Sequence, residues 1–136
     1  MSEDPRLTFV ALSVSDLQSS LEFYRRILGI PLRDESHDSE NNDPWYGGAH
    51  AAYSWTEGAF IHFALYPSRM PERPVATALQ IGFHIDDFDE VHRNVVAAGV
   101  KVLQTPRTEP WGTTARYLDP DGNIVSITER GASSAT

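Results

Sequence analysis

His62 and His84 are the side chains in this sequence best suited to proton-transfer chemistry. Each falls in an alternating segment, "AFIHFALY" and "LQIGFHI", of the kind that forms strands. An imidazole changes its charge near neutral pH, so two such groups facing one site can act as general acid and general base. The alternative interpretation is that each is a strand histidine hydrogen-bonded to a neighbour, and the sequence leaves both open.

The remaining histidines are predicted to lie at the surface. His37 falls in a polar loop, His50 at the edge of that loop and His92 on a predicted helix. The chain of 136 residues contains no cysteine, which excludes disulfides, zinc–thiolate sites, iron–sulfur clusters and thiol nucleophiles. Any chemistry must therefore come from His, Asp, Glu, Tyr or Ser.

Composition predicts one acidic globular domain. The formal net charge is -8 with only 11 Lys and Arg, which disfavours nucleic acid and anionic membranes as partners. No apolar run approaches the roughly 20 residues that span a bilayer. The N-terminal "MSEDPRLTF" lacks the basic and apolar parts of a signal peptide, so we expect a cytoplasmic location.

The first half of the chain predicts a strand, a helix and three more strands. "LTFVALSV" alternates, and a helix capped by Ser15 and Gln18 follows and ends at Gly29. Its sheet-facing residues recur at helical spacing and are Leu17, Leu21, Tyr24 and Leu28. Strands are then predicted in "IPLRDES", "AHAAYSW" and "AFIHFALY", with the polar loop "HDSENNDPWYGG" between the first two.

The second half repeats this pattern. "LQIGFHIDDFDEVHRNVVAAGVKV" gives a strand, a cap at Asp86 or Asp87, and a helix that ends at Gly99. The face of that helix is predicted to consist of Phe88, Val91 and Val95. The duplication predicts a first module at about residues 6–66 and a second at about 78–129, with a disordered tail at 130–136.

The C-terminal segment predicts a strand to about Gln104, a proline-broken connection and a final hairpin. Asp119-Pro120-Asp121-Gly122 is a strong turn signal, because Pro sets the first corner and Gly accepts the positive φ that closes the turn. Asp119 and Asp121 are therefore interpreted as turn formers and not as catalysts.

Three segments together resemble the glyoxalase, bleomycin-resistance and extradiol-dioxygenase superfamily, also called the vicinal oxygen chelate superfamily. They are "VSDLQSSLEFYRRILGIPL", "IDDFDEVHRNVVAAGVKV" and "WGTTARYLDPDGNIVSITE", and the likeness covers about residues 6–129. The resemblance implies an α+β fold of paired βαβββ modules, whose curled sheets form a cup with the helices outside.

Metal-dependent members of that superfamily hold a divalent cation with four inward His or Glu side chains. The resemblance places Phe9, His62, Gln80 and Ser126 at those four positions. Catalytic zinc takes about three protein ligands, and the ferrous facial triad takes two His and one carboxylate. We therefore expect no metal and no cofactor, and neither glyoxalase I nor extradiol-dioxygenase chemistry.

The residues expected to line the cup are aromatic or neutral polar. From the strands these are Phe9, Ser13, Phe60, His62, Gln80, His84 and Ser126. Three tryptophans are added as aromatic side chains that clamp ligands at groove rims, with packing or a dimer contact as the alternative: Trp45, Trp55 and Trp111. Phe23 and Tyr24 are assigned to packing between helix and sheet.

Such a cup suits a flat or amphipathic organic molecule held by stacking and a few hydrogen bonds. The leading prediction is a cytoplasmic homodimer of the metal-free, bleomycin-resistance-like kind, which binds a small organic ligand for antibiotic sequestration or resistance. The alternative is an isomerase, epimerase or lyase of the same superfamily that uses His62 or His84 as general base. The sequence does not name the ligand, and it leaves open whether modules pair within one chain or by domain swapping.

Overall fold

The computed structural model describes residues 4–37 and 48–130. Each half of the chain forms one strand, one helix and three more strands. The first half consists of β1 (Phe9–Val14), α1 (Leu17–Leu21), which continues as a π-helical stretch (Glu22–Ile27), β2 (Arg33–His37), β3 (Gly48–Trp55) and β4 (Ile61–Pro67). The second consists of β5 (Gln80–Ile85), α2 (Phe88–Ala97), β6 (Val102–Glu109), β7 (Gly112–Leu118) and β8 (Ile124–Glu129).

The two halves build the same sheet topology. Strand order is β1-β4-β3-β2 in one sheet and β5-β8-β7-β6 in the other, and each sheet is open and four-stranded. The first and last strands of each half pair in parallel, and the other pairs are antiparallel. The predicted α+β class and the duplicated βαβββ modules are confirmed, while closure of the sheets into a cup stays a prediction.

The compact units of the structure divide the chain differently from the sequence modules. One unit holds the first sheet, from residues up to Gln18 and Pro31–Val75, and the other holds Ser19–Ile30 together with the chain from Ala76 onward. Most of the first helical segment therefore packs with elements of the second half. No helix among the described residues has the length and apolarity that crossing a membrane requires.

Tyr24 connects the first helical segment to residues of the second half of the chain, within the unit that they share. The Tyr24 hydroxyl donates a hydrogen bond to Asp119 Oδ2 at 2.7 Å, and its ring meets Phe83 edge-on at 6.3 Å. Burial, together with the hydrogen bond to the Asp119 carboxylate, raises the pKa of Tyr24 far above its usual value. The segment ends as predicted at Gly29, whose φ of 83° is the left-handed conformation that ends helices.

Asp119 also organises the final hairpin turn. Its Oδ1 accepts hydrogen bonds from the backbone N–H groups of Asp121 at 2.9 Å and Asn123 at 2.8 Å. Gly122 closes the turn with a φ of 91°. The side chain is 5% exposed, and its oxygens accept bonds from the turn and from Tyr24, as a turn former would.

Strand β6 differs from the prediction. It was expected to end near Gln104 before a proline-broken connection, but it continues through Pro106 to Glu109 with register shifts on both sides of Gln104. The physical reason is its place at the edge of the sheet, where a missing proline N–H removes no ladder bond and bulges are tolerated.

One cap and the C-terminus also depart from expectation. At the first helix, Asp16 Oδ1 accepts the Gln18 N–H at 3.0 Å beside the predicted Ser15 cap, which stays a prediction. Asp87 occupies the N-cap of α2 but makes no side-chain capping bond. Arg130, assigned to the tail, pairs with Asp86 at 2.7 Å, and the rest of the predicted tail lies outside the described residues.

Candidate functional site

The first site face is the side of the first sheet that carries Phe9, Ala11 and Ser13 with their cross-strand neighbours. Residues paired across strands point to the same side of a sheet. On β1 the opposite side holds Leu12 and Val14, which are fully buried, whereas Phe9 is 50% exposed. Alternation in the sequence therefore assigned the faces of β1 correctly.

Phe9, His62 and Ser54 form one row across this face. Phe9 pairs with His62, and His62 with Ser54. The Phe9 and His62 rings stack nearly parallel, with centroids 5.4 Å apart. The Ser54 hydroxyl lies 2.6 Å from His62 Nδ1, and Nε2 of His62 has no hydrogen-bond partner among the described residues. The imidazole is thus held on two sides and has one nitrogen left for a ligand.

The next row is made of small side chains. Ala11, Ala64 and Ala52 pair across three strands. Tyr66 packs with Ala52 and Ala64 in a buried cluster, whereas Ala11 stays exposed beside Phe9. The accessible apolar surface of this face therefore lies along β1.

Two further predicted residues flank this surface. Phe60 stands just before β4 and is 49% exposed, and Ser13 pairs with Tyr66 and is half-buried. Trp55 is not brought to the same side. It pairs with Ile61, so it points to the side opposite His62, where it meets Tyr53 edge-on at 5.1 Å. Trp45 lies outside the described residues.

The prediction that His50 lies at the surface is wrong. Its side chain is 2% exposed, with Nδ1 at 3.1 Å from the Gly48 carbonyl oxygen and Nε2 at 3.2 Å from Glu35 Oε1. The ring also stacks on Tyr66 at 4.5 Å. His50 pairs with Glu35 across β2 and β3, so cross-strand packing and not chain position decided its burial.

His92 is likewise more enclosed than the sequence indicated. Its Nδ1 lies 2.7 Å from the Tyr117 hydroxyl, and the two rings stack at 5.9 Å. Tyr117 is fully buried, and this burial raises the pKa of its phenol. The third predicted surface residue, His37, ends β2, and its side chain is outside the described part of the structure.

The second site face is the side of the second sheet that carries Gln80, Gly82 and His84 with their cross-strand neighbours. Gly82 pairs with Ser126, and Ser126 with Arg116. Gln80 pairs with Ile124 and His84 with Thr128, each two residues from Ser126 along β8, and both Gln80 and His84 are exposed. The three predicted residues of this half, Gln80, His84 and Ser126, therefore share one face.

Gly82 and Ser126 form a low point in this face. A Cβ atom placed on Gly82 would lie 2.6 Å from Ser126 Oγ, closer than real Cβ contacts allow. The hydroxyl thus occupies the space that a side chain at position 82 would take. A small residue is required beside Ser126, and the row is shallow where the superfamily resemblance places a carboxylate.

Arg116 is a residue of this face that the sequence prediction missed. Its Nη1 donates to Gln104 Oε1 at 2.6 Å, and its side chain is 24% exposed. Alternation along β7 was the available signal. Thr114 and Arg116 point to the second site face, whereas Ala115 and Tyr117 are buried on the other side.

The carboxylate nearest to Arg116 belongs to Glu109. Arg107 donates to Glu109 Oε2 from Nε at 2.9 Å and from Nη2 at 2.7 Å, while Arg116 Nη1 stands 3.8 Å from the same oxygen. The hydrogen bonds from Arg107 hold the pKa of Glu109 below its usual value, and the charge of Arg116 acts in the same direction. Glu109 is therefore ionised at neutral pH.

Trp111 reaches the second site face through Thr114. The indole Nε1 donates to Thr114 Oγ1 at 3.2 Å, and Thr114 Oγ1 lies 3.0 Å from Thr128 Oγ1. Thr128 pairs in turn with His84 on β5. Trp111 is 51% exposed, so an aromatic surface borders the Thr114 end of this row, opposite the exposed His84.

The described residues offer a poor set of donors for a metal cation. Residues 4–37 and 48–130 contain no group of three or more His, Asp or Glu that could hold a metal ion. Of the four positions implied by the resemblance, only His62 carries a usual transition-metal ligand, and its Nδ1 is engaged with Ser54. The site residues therefore do not fit a zinc or ferrous centre.

Comparisons with known proteins agree with this architecture. The model of the Glyoxalase/Bleomycin resistance protein/Dioxygenase superfamily matches residues 6–127. The chain is 31% identical over 128 residues to a lactoylglutathione lyase of Escherichia coli O157:H7, covering 91% of this chain and 92% of that protein. It is 25% identical over 123 residues to the glutathione transferase FosA of Serratia marcescens, covering 89% of this chain and 78% of that protein.

Among solved structures the fold is similar to TnmS3, an antibiotic binding protein from Streptomyces sp. CB03234. The TM-score is 0.68 at 23% identity, covering 95% of this chain and 98% of that chain.

Proposed function

Because the chain belongs to the glyoxalase/bleomycin resistance protein/dioxygenase superfamily, we propose that it binds a small organic molecule without a metal ion and sequesters an antibiotic. Both enzymes and binding proteins are among its relatives and structural neighbours, so family membership alone does not choose between them. TnmS3 is an example of this fold in an antibiotic binding protein.

The observation that carries the proposal is the chemistry of four side chains. Phe9, His62, Gln80 and Ser126 offer a phenyl ring, one imidazole, an amide and a hydroxyl, and no carboxylate. Phe9 stays half exposed while it stacks on His62. An exposed phenyl ring beside an imidazole on the first site face, and amide and hydroxyl groups on the second, favour contacts with an organic ligand over coordination of a cation.

Ligand titration with and without chelator tests this proposal. Quenching of tryptophan fluorescence is followed while bleomycin and a panel of flat aromatic antibiotics are added, in EDTA and in zinc. At least one compound should bind equally in both, and mass spectrometry should recover it unchanged. Binding that disappears in EDTA, or recovery of an altered compound, would contradict metal-free sequestration.

Phe9→Ala provides the structural control for that titration. Loss of ring stacking and apolar contact is worth about 1–2 kcal/mol, so affinity should fall about 5- to 30-fold. Val96→Ala removes a comparably exposed apolar side chain from α2 and should leave affinity unchanged. Equal affinities of both variants and the parent protein would show that the ligand does not contact the first site face.

A second candidate function is an isomerase, epimerase or lyase with His62 as general base. Its favouring observation is the 2.6 Å contact between Ser54 Oγ and His62 Nδ1. If Nδ1–H donates to Ser54, the Nε2 lone pair is available to remove a proton. His84 makes no comparable contact within the described parts of the chain, so it lacks this orientation.

The enzyme hypothesis makes a residue-specific prediction. For any compound that the protein converts, His62→Ala should reduce kcat at least about 100-fold, whereas His84→Ala should have little effect. Circular dichroism confirms that both variants fold. A full rate in His62→Ala would remove this candidate.

We also propose that the protein is a cytoplasmic homodimer. Large apolar side chains stand exposed in the single chain, among them Leu7 at 67%, Phe9 at 50% and Phe60 at 49%. Burial of such residues is a usual driving force for self-association. Light scattering after size-exclusion chromatography should give twice the 15.1 kDa chain mass, and a monomer at micromolar concentration would reject the dimer.

A further inference from the structure

Arg116 has hydrogen-bonding capacity that the described residues do not use. Nη1 donates to Gln104 Oε1 at 2.6 Å, and the remaining guanidinium N–H groups have no acceptor in residues 4–37 and 48–130. The side chain is 24% exposed, and none of its nitrogens is among the fully buried side-chain atoms that lack a partner in the described residues. The unused N–H groups can therefore reach water or an accepting group on a ligand.

The charge of Arg116 is also incompletely matched. The nearest carboxylate oxygen, Oε2 of Glu109, takes two hydrogen bonds from Arg107 and lies 3.8 Å from Arg116 Nη1, beyond hydrogen-bonding distance. Glu109 thus pairs with Arg107 by direct hydrogen bonds and with Arg116 only at longer range. Among these three side chains one positive charge is in excess, although the chain carries a net charge of -8.

The surface beside Arg116 has room for a ligand atom. Arg116 pairs with Ser126 and Ser126 with Gly82, so the row descends from a long side chain to a hydroxyl and then to a bare backbone position. His84 and Gln80, both exposed, flank Gly82 along β5. A hydroxyl, an amide and an imidazole therefore lie around the low point at Gly82, on the two strands that follow Arg116 across the sheet.

We propose that Arg116 determines ligand specificity by binding a carboxylate on the small organic ligand. A guanidinium presents paired N–H groups whose spacing matches the two oxygens of a carboxylate. Ser126 Oγ donates the adjacent hydrogen bond at the low point of the face. This inference rests on the proposed function for the existence of a ligand, and it adds the ligand's chemical class and the residue that recognises it.

Isothermal titration with two matched probes tests the proposal. 1-Naphthoate and 1-naphthamide share one ring system and differ in charge and in the second oxygen. The acid should bind about 10- to 100-fold more tightly than the amide, as expected for charge-assisted hydrogen bonds. Equal affinities, or no binding of the acid at millimolar concentration, would overturn the carboxylate assignment.

Variants separate the role of Arg116 from general electrostatics. Arg116→Gln should abolish the preference for the acid, and Arg116→Lys, which keeps the charge but not the paired donors, should retain only part of it. Arg93→Gln removes one charge from an exposed position on α2 and should leave the preference intact. A preference that survives Arg116→Gln would overturn the proposal, and the lysine variant decides the matter if the glutamine variant does not fold.

Failure of this inference can be told apart from failure of the proposed function. If antibiotics bind in EDTA but the acid has no advantage, binding stands and the role of Arg116 is wrong. If the acid binds through Arg116 and every antibiotic fails, the carboxylate site stands and sequestration is wrong.

Discussion

A methyl group added at Gly82 should destabilise the protein only while Ser126 keeps its hydroxyl. The added Cβ would lie 2.6 Å from Ser126 Oγ, whereas its next nearest neighbours, the Ser126 carbonyl oxygen and Cβ, lie at 3.8 Å and 4.0 Å. One atom therefore creates the whole conflict. Gly82 has no positive φ, so alanine is compatible with the backbone of β5.

The magnitude follows from two opposing terms. Relieving the contact requires Ser126 to leave its rotamer or the two strands to separate by several tenths of an ångström, which costs about 1–3 kcal/mol. Replacing glycine by alanine inside a strand contributes about 0.5–1 kcal/mol in the stabilising direction. Gly82→Ala should therefore lower the free energy of unfolding by about 1 kcal/mol. In a Ser126→Ala background, Gly82→Ala should raise the free energy of unfolding by about 0.5–1 kcal/mol.

Urea denaturation of the four proteins in this double-mutant cycle, followed by circular dichroism, measures the coupling. We expect a coupling free energy of about 1–2 kcal/mol between the two substitutions, with unchanged m-values. A coupling below about 0.5 kcal/mol would show that Ser126 Oγ does not fill the space over Gly82. The low point of the second site face would then have a different shape from the one described.

Three further outcomes are expected. Tyr24 and Tyr117 have raised pKa values, so each contributes stability that is present below about pH 10 and is lost as pH rises, at about 1.4 kcal/mol per pH unit. Replacing either tyrosine by phenylalanine should therefore make the free energy of unfolding fall less steeply at alkaline pH, as measured by urea titrations at several pH values. An unchanged slope would contradict the raised pKa values. His50→Ala should lower the free energy of unfolding by about 2–3 kcal/mol, against less than about 0.5 kcal/mol for the exposed His84→Ala, and equal effects would refute the buried role of His50. Glu109 has a lowered pKa, so its contribution to stability is present above about pH 4.5 and is lost as pH falls. The melting temperature of Glu109→Gln should therefore decrease less steeply at acid pH than that of the parent protein. An identical pH dependence would argue against the ion pair.

Local patterns in the sequence were sufficient to predict the helices and strands and which of their faces are buried. The alternation of β1 separated the buried Leu12 and Val14 from the exposed Phe9, and helical spacing placed Tyr24 among the buried residues. The final turn was predictable because Gly122 must accept a positive φ. Each of these signals depends on neighbours within a few positions, which is why periodicity reveals them.

Contacts between distant segments were not predictable in this way. His50 is buried because Glu35 and Tyr66 meet it across strands, and the polarity of the chain around it gave no sign of this. Trp55 points away from His62 because the register of β3 and β4 fixes its side of the sheet. Arg116 was missed because one arginine in an alternating strand has no motif, and only its unused donors single it out.

The hydrogen bond from Tyr24 to Asp119 joins residues 95 positions apart, and it dictates an order of events during biosynthesis. The helix is synthesised early, whereas the turn that contains Asp119 is translated near the end. The helix therefore lacks this hydrogen-bond partner during most of synthesis. A ribosome-stalled nascent chain ending before residue 119 should leave the segment around Tyr24 sensitive to protease. Extension through β8 should protect it. If the gene is split between the duplicated halves, the N-terminal product should therefore lack the residues of the second half against which its own helix packs.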